Sequence, residues 1–311
     1  MEDEPAIRLG TRQSDLALTQ SRTVARMLGG NVALVGVVTE GDRLVDVPLR
    51  GPLQKGYFTE ALEQRLRDGT IDIAVHSLKD LPTAMAPGLR IGAIPVRERV
   101  ADLLFVRKEA WDAAGRGLPL AAGASVGASS PRRQSLVRSA RPDCRPEPLR
   151  GNVPTRLKKL AAGQFDAIVL AEAGVRRLVA GEVPLVLDGL HVVRLNPSVW
   201  VPAPGQGALA VQCRADDVVT LGRLASLHDA ATAADVATER RWLTTIGAGC
   251  SVPFGAWVHG ADWVMGLERN GKFSVVGGSG AERGDAAVIT LMAGSSDDSL
   301  TMKWEEIDVC A

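Results

Sequence analysis

Residues 66–81, LRDGTIDIAVHSLKDL, hold the pattern that decides the fold. A helical stretch closes at Gly69, Asp72 opens the apolar run Ile73–Val75, and the run gives way to His76, Ser77, Lys79 and Asp80 before Pro82 ends the turn. A continuous apolar run bounded by Gly and Asp predicts a strand buried on both faces, as in a sheet with helices on either side. The same order returns at 160–178, LAAGQFDAIVLAEAGVRRL: helix end, glycine, an aspartate opening a buried strand, then a polar turn. The echo fits two α/β domains of similar build facing each other across a cleft.

Outward from these segments, β-like runs alternate with helical stretches over the first two-thirds of the chain. The strand candidates are AIRLG, VALVGVV, IDIAVHS, RIGAIP, DLLFV, ASVGA, FDAIVLA, VVRL and ALAVQC. Between them SDLALTQSRTVARML repeats Ala17, Ser21, Val24 and Leu28 at helical spacing behind Ser14 as N-cap, and TEALEQRLRDG starts at Thr59 as cap. After residue 227 the character changes to one helix, a glycine-rich loop and irregular short strands. The organisation expected is domain 1 over 1–99 and 200–226, domain 2 over 100–199 and a small α+β domain 3 over 227–311.

With 36 basic against 36 acidic residues the net charge is zero, which argues against bulk nucleic-acid binding. No run is long enough to cross a bilayer, and the acidic start MEDEPAIRLG has no apolar signal segment, so a cytoplasmic location without membrane contact is expected. Cys144, Cys213, Cys250 and Cys310 form no C-x-x-C pair and the histidines stand singly, so no metal site is expected. Phosphate-cradling nucleotide motifs are absent.

The arginines fall at strand-to-helix junctions. GTRQS places Arg12 in one such turn, and GASSPRRQ offers Ser130 as cap, Pro131 at the first helical position and Arg132 and Arg133 in the first turn. LRGNVPTRL puts Arg150 before a Gly-Asn turn and Arg156 in the next first turn; Arg177 follows the glycine of AGVRRL. Any one of these could simply solvate a helix end. Recurrence where open α/β sheets bind ligands points to a polyanion in the cleft. Lys79 and Asp80 are either an exposed ion pair or a catalytic carboxylate beside a cation. Residues 41–58, GDRLVDVPLRGPLQKGYF, read as a lid carrying Lys55 or as a plain surface loop. In TTIGAGCSVPFG, 244–255, Cys250 is a thiol shown on a turn, with or without a duty.

Together GTRQSDLALTQ, AVHSLKDLPT, GASSPRRQ, LRGNVPTRL, FDAIVLAEAGVRRL, PAPGQGALAVQCR and GAGCSVPFG resemble the porphobilinogen deaminase (hydroxymethylbilane synthase) family, in its order and spacing from residue 7 to about 257. The fold implied is two doubly wound α/β domains like those of periplasmic binding proteins, facing a cleft, plus the small α+β C-terminal domain. The activity implied is a monomeric transferase that joins four porphobilinogen molecules head to tail, releasing ammonia and then linear hydroxymethylbilane. Its primer is a dipyrromethane on a cysteine thioether, which the match assigns to Cys250. The match gives Asp80 the catalytic role. It gives Lys79, Asp80, Ser129, Arg132, Arg133 and Arg150 to the cofactor; Arg12, Ser14, Arg156 and Arg177 to porphobilinogen and the growing polypyrrole; and Lys55 to the lid.

Ala128 stands where many members of the family have threonine, Pro154 where the residue is often glycine, and Gly51 where some members carry a second lysine. The rival from another class is an anion-binding receptor on the same two-domain plan, which would have no use for Cys250. A second rival, a non-catalytic paralogue that binds porphyrin precursors, is expected to have lost Asp80 or Cys250, and both are present.

Overall fold

The computed structural model describes residues 6–38, 59–247, 252–293 and 304–307. They divide into two compact units, Met1–Glu98 with Gly207–Ala234 and Arg99–Gln206 with Asp235–Ala311.

The chain begins with β1 (Ile7–Thr11), α1 (Asp15–Leu28), β2 (Val32–Gly36), α2 (Glu60–Arg67), β3 (Ile73–Ser77) and β4 (Leu89–Ala93). The second unit follows with β5 (Asp102–Arg107), β6 (Ser125–Ala128), α3 (Pro131–Ala140), β7 (Arg145–Pro148), α4 (Val153–Ala161), β8 (Ala167–Ala171), α5 (Glu172–Ala180) and β9 (Leu190–Leu195). β10 (Leu209–Arg214) and α6 (Val218–Leu224) return to the first unit. After α7 (Ala230–Thr245) come β11 (Phe254–His259), β12 (Asp262–Arg269), β13 (Lys272–Ser279), α8 (Ala281–Ala293) and β14 (Trp304–Glu306).

The first sheet has the order β2-β1-β3-β10-β4, with β1 parallel to β2 and β3 and with β10 antiparallel to β3 and β4. The second has the order β14-β9-β5-β8-β6-β7, with β6 parallel to β7 and β8 and with β5 antiparallel to β8 and β9. Taken from β7 to β9, it repeats the order and directions of the first sheet. The echo between 66–81 and 160–178 is therefore one of architecture: β6-α3-β7-α4-β8 matches β1-α1-β2-α2-β3. The antiparallel strand comes last in one unit, as β10, and first in the other, as β5.

Both echoing strands are buried on two faces for the reason their composition gives. In β3, Ile73 and Val75 join Leu9 and Val24 under α1, while Ala74 joins Leu62, Leu66 and Ile71 under α2. In β8, Ala167 and Val169 pack with Leu136 and Val137, while Ile168 and Leu170 pack with Leu157 and Leu160. The apolar run of β2, by contrast, is half-buried or exposed, because the strand lies at the sheet edge. Strand β7 is absent from the sequence expectations because RPEP contains two prolines. It lies at the sheet edge, where a missing ladder donor is tolerated.

The antiparallel sheet β11-β12-β13 alternates between two cores. Val264, Phe273 and Val275 join the core around Leu136 and Val137 of the second unit, and Trp263, Met265 and Phe254 pack with Trp242, Val288 and Leu291 from α7 and α8. β14 pairs antiparallel with β9.

Candidate active site

In the first unit the sequence-predicted residues gather at the carboxyl ends of the adjacent parallel strands β1 and β3. Leu78–Asp80 form a single 3₁₀ turn directly after β3. The buried Leu78 pins it: its N–H donates to the Ala208 carbonyl at 3.0 Å, and the Leu81 N–H returns to the Leu78 carbonyl at 3.1 Å. That leaves Lys79 half-buried and Asp80 exposed. After β1 comes the half-buried Arg12, then Ser14, whose Oγ accepts the Ala17 N–H at 3.4 Å and caps α1. Thr59 precedes α2 in a helical conformation and makes no side-chain cap, contrary to the sequence expectation, because its backbone has already entered the helix.

In the second unit the candidate residues gather at the turns that follow β6 and β7. Ser130 caps α3, accepting the Arg133 N–H at 3.3 Å with Pro131 in the first turn, and Asn152 caps α4, accepting the Thr155 N–H at 2.9 Å. Arg156 ties the two turns together: Nε donates to the Gly151 carbonyl at 2.7 Å and Nη1 to the exposed Ser129 Oγ at 3.2 Å. Gly151 has φ 107°, and a Cβ there would lie 2.8 Å from Thr155 Cγ2, so only glycine leads Arg150 into this turn. Ser129 and Arg156 thus come together, with Arg150 next in the chain to the Gly151 that Arg156 binds. Arg177 is half-buried on α5, and the glycine before it, Gly174, lies inside that helix, where the sequence reading expected a turn.

Arg132 and Arg133 stand elsewhere than the open cleft lining expected of them. Only 4% and 5% of their surfaces are exposed, and both reach the fully buried carboxylate of Asp102 at the start of β5. Arg133 binds it through Nη2 at 2.6 Å and Nε at 3.1 Å, and Arg132 through Nη2 at 2.9 Å. Trp200 Nε1 at 3.0 Å and Gln206 Nε2 at 2.8 Å complete the ring of donors. Arg132 Nη1 also donates to the Val201 carbonyl at 2.6 Å, and Arg133 Nη1 to the Val169 carbonyl at 3.2 Å. Burial by itself raises the Asp102 carboxyl, but the Arg133 and Arg132 charges outweigh it and hold the group well below the usual carboxylate range. Two guanidiniums share one carboxylate, so the cluster keeps one positive charge in excess. Asp102 escaped the sequence reading because DLLFV looks like an ordinary strand opening. The available signal was an aspartate leading an apolar strand into a doubly buried sheet, where it must find cations.

Cys250, Lys55 and Gly51 lie outside the described residues. Cys144 and Cys213 are buried free thiols whose burial pushes their pKa up, which suits packing rather than reaction. Among the described residues no cluster of His, Cys, Asp and Glu could hold a metal ion, and no helix is long and apolar enough to cross a membrane.

Residues 7–221 match the family model described as "Porphobilinogen deaminase, dipyromethane cofactor binding domain". Over 257 residues the chain is 45% identical to the porphobilinogen deaminase of Acidothermus cellulolyticus, covering 80% of this chain and 74% of that one. It is 44% identical to the Streptococcus sanguinis protein of the same name, covering 81% of each, and 42% identical to that of Mycolicibacterium gilvum, covering 86% and 81%. Among solved structures, the VFT2 domain of Bordetella pertussis BvgS aligns over 78% of this chain and 94% of that one at 16% identity and a TM-score of 0.42.

Proposed function

Because the chain belongs to the porphobilinogen deaminase family, and so joins porphobilinogen head to tail on a dipyrromethane primer, we propose that Asp80 is its catalytic carboxylate and Cys250 the anchor of that primer. The enzyme is a transferase of tetrapyrrole biosynthesis, releasing ammonia at each addition and hydroxymethylbilane at the end.

The residues present fit a polycarboxylate cofactor. The buried Asp102 cluster keeps its excess positive charge, and Ser129, Arg150 and Arg156 gather at the neighbouring turns of the same unit. When bound, the dipyrromethane supplies the free α-carbon from which the chain grows. In this reading the Cys250 Sγ holds it as a thioether, Lys79, Ser129 and Arg150 bind its acetate and propionate groups, and Arg132 and Arg133 act on them at longer range through the excess positive charge of the Asp102 cluster. Arg12, Arg156 and Arg177 bind the carboxylates of porphobilinogen. The Ser14 hydroxyl, an acceptor in the α1 cap, still has its own O–H to donate to the same groups.

Asp80 Oδ accepts the pyrrole N–H of the incoming porphobilinogen. As the C–N bond of the protonated aminomethyl group breaks, its electron pair leaves with the nitrogen as ammonia and the ring and methylene become cationic; the carboxylate stabilises that charge. It then accepts the α-proton displaced when the new C–C bond forms. The observation that carries this assignment is the placement of Asp80: an exposed carboxylate on a turn anchored by a buried leucine, at the end of a doubly buried strand. Residues 227–311 serve as the cofactor-anchoring domain and Lys55 as part of a lid, in a cytoplasmic monomer.

Intact mass after denaturation tests the anchor. The wild-type protein carries an increment of two linked pyrrole units on the Cys250 peptide, and Cys250→Ala carries none and is inactive. Full activity of Cys250→Ala removes the anchor assignment, and sedimentation of the holoenzyme as a dimer removes the monomer.

A further inference from the structure

A buried imidazole stands just ahead of the reacting turn, and none of the roles above uses it. His76 lies in β3 with 6% of its surface exposed, its Nε2 3.0 Å from Gln212 Oε1; Gln212 Nε2 in turn is 3.1 Å from Glu63 Oε1. Chemistry fixes the direction of this relay. A carboxylate only accepts, so the Gln212 amide must turn its N–H to Glu63 and its carbonyl to His76. That carbonyl also only accepts, so the imidazole carries its proton on Nε2 and leaves Nδ1 bare. Burial pushes the ring down to about 4; the Gln212 hydrogen bond opposes the shift and the Arg12 charge adds to it. His76 is therefore neutral at pH 7.

The register shows what the relay braces. Gln212 of β10 stands opposite Ala74, so its side chain shares the His76 face of the sheet, which α2 covers with Glu63. The next residue is held from the other face: Ser77 Oγ accepts from Gln20 Nε2 of α1 at 2.9 Å. Two successive residues of β3 are thus fixed from opposite faces of the sheet, His76 by Gln212 of β10 backed by Glu63 of α2 and Ser77 by Gln20 of α1, and the turn Leu78–Asp80 starts at the following residue. We propose that His76, as the Nε2–H tautomer held by Gln212 and Glu63, is a positioning residue of the deaminase reaction that aims the turn carrying Lys79 and Asp80. It rests on the roles proposed above for those two residues.

The test uses holoenzyme labelled with 15N-histidine. The His76 signals, identified by their loss in His76→Gln, will show Nε2 protonated and Nδ1 bare at pH 7, and Glu63→Gln, whose amide can face either way, will give a mixture of tautomers. Glutamine sets its amide N–H where Nε2–H stands, and asparagine sets its own where Nδ1 stands. His76→Gln will therefore keep kcat within about threefold and His76→Asn will lose about tenfold, with the KM for porphobilinogen within about twofold and the primer mass intact in both. An Nδ1–H tautomer, an imidazolium at pH 7, or equal kcat in the two variants overturns the proposal. The spectrum of the unmutated holoenzyme decides the tautomer even where a variant fails to fold. Should Asp80→Asn turn over normally while the tautomer is as stated, the role of Asp80 falls and the relay stands.

Discussion

The two units lay five strands in the same order and direction, yet treat the carboxylate after the central buried strand in opposite ways. After β3 the chain makes one 3₁₀ turn and leaves Asp80 exposed. After β8 it enters α5 at once, and the first residue of that helix, Glu172, is buried and clasped by Arg194 Nη2 at 2.8 Å, with Arg99 Nε at 3.7 Å. The second unit also buries Asp102 against two arginines. One topology thus offers the same place twice. Neighbouring cations turn the carboxylate into a structural counter-ion in the second unit, whereas the first leaves Asp80 exposed on its turn, where a substrate can meet it.

The contrast breaks most sharply on turnover. Asp80→Asn is expected to lower kcat by about 10²-fold or more while the primer mass survives, as for loss of an acid–base group. Steady-state assay with intact-mass analysis checks it, and near-normal kcat would return Asp80 to an ordinary surface role.

Asp102→Asn acts on the opposite side of the comparison. It leaves two buried guanidiniums without their anion and is expected to cost about 3–5 kcal/mol of stability in denaturant titration. A loss below about 1 kcal/mol, the range of exposed pairs, would show that the cluster is solvated rather than sealed.

Acid stability sharpens the picture of β3. The folded-state pKa of His76 is lowered to about 4 from 6.5, so the unfolded chain takes up the proton first, and stability present above 6.5 is lost as pH falls towards 4. The contribution is about 3 kcal/mol at most. Unfolding free energies between pH 7 and 4 should therefore fall less steeply in His76→Gln, and parallel slopes would contradict a buried neutral ring.

Smaller effects are expected at the partly solvated partners. Glu172→Gln should cost about 1–3 kcal/mol, less than Asp102→Asn, because Arg194 and Arg99 retain access to water. Gly151→Ala should cost about 1–3 kcal/mol through its positive φ and its contact with Thr155, and should weaken porphobilinogen binding by displacing Arg156. Thermal unfolding and KM are the readouts; a destabilised protein with unchanged KM would separate Arg156 from substrate.

Sequence alone determined the buried strands, the helix starts and the family, because these are local properties. Apolar runs such as IAVHS and AIVLA must be covered on both faces, the side chains of Ser14 and Ser130 cap helices by accepting N–H groups three residues on, and the motifs lie contiguous in the chain. It also singled out Asp80, whose surroundings are three residues of turn. The edge strand β7, hidden by its prolines, and the partners of Arg132, Arg133 and His76 were decided by the tertiary structure. Asp102 stands 30 residues before Arg132, and Gln212 stands 136 after His76. A charge or ring buried in a sheet takes its partner from whichever strand or helix folds against it, and only the tertiary structure makes those elements neighbours.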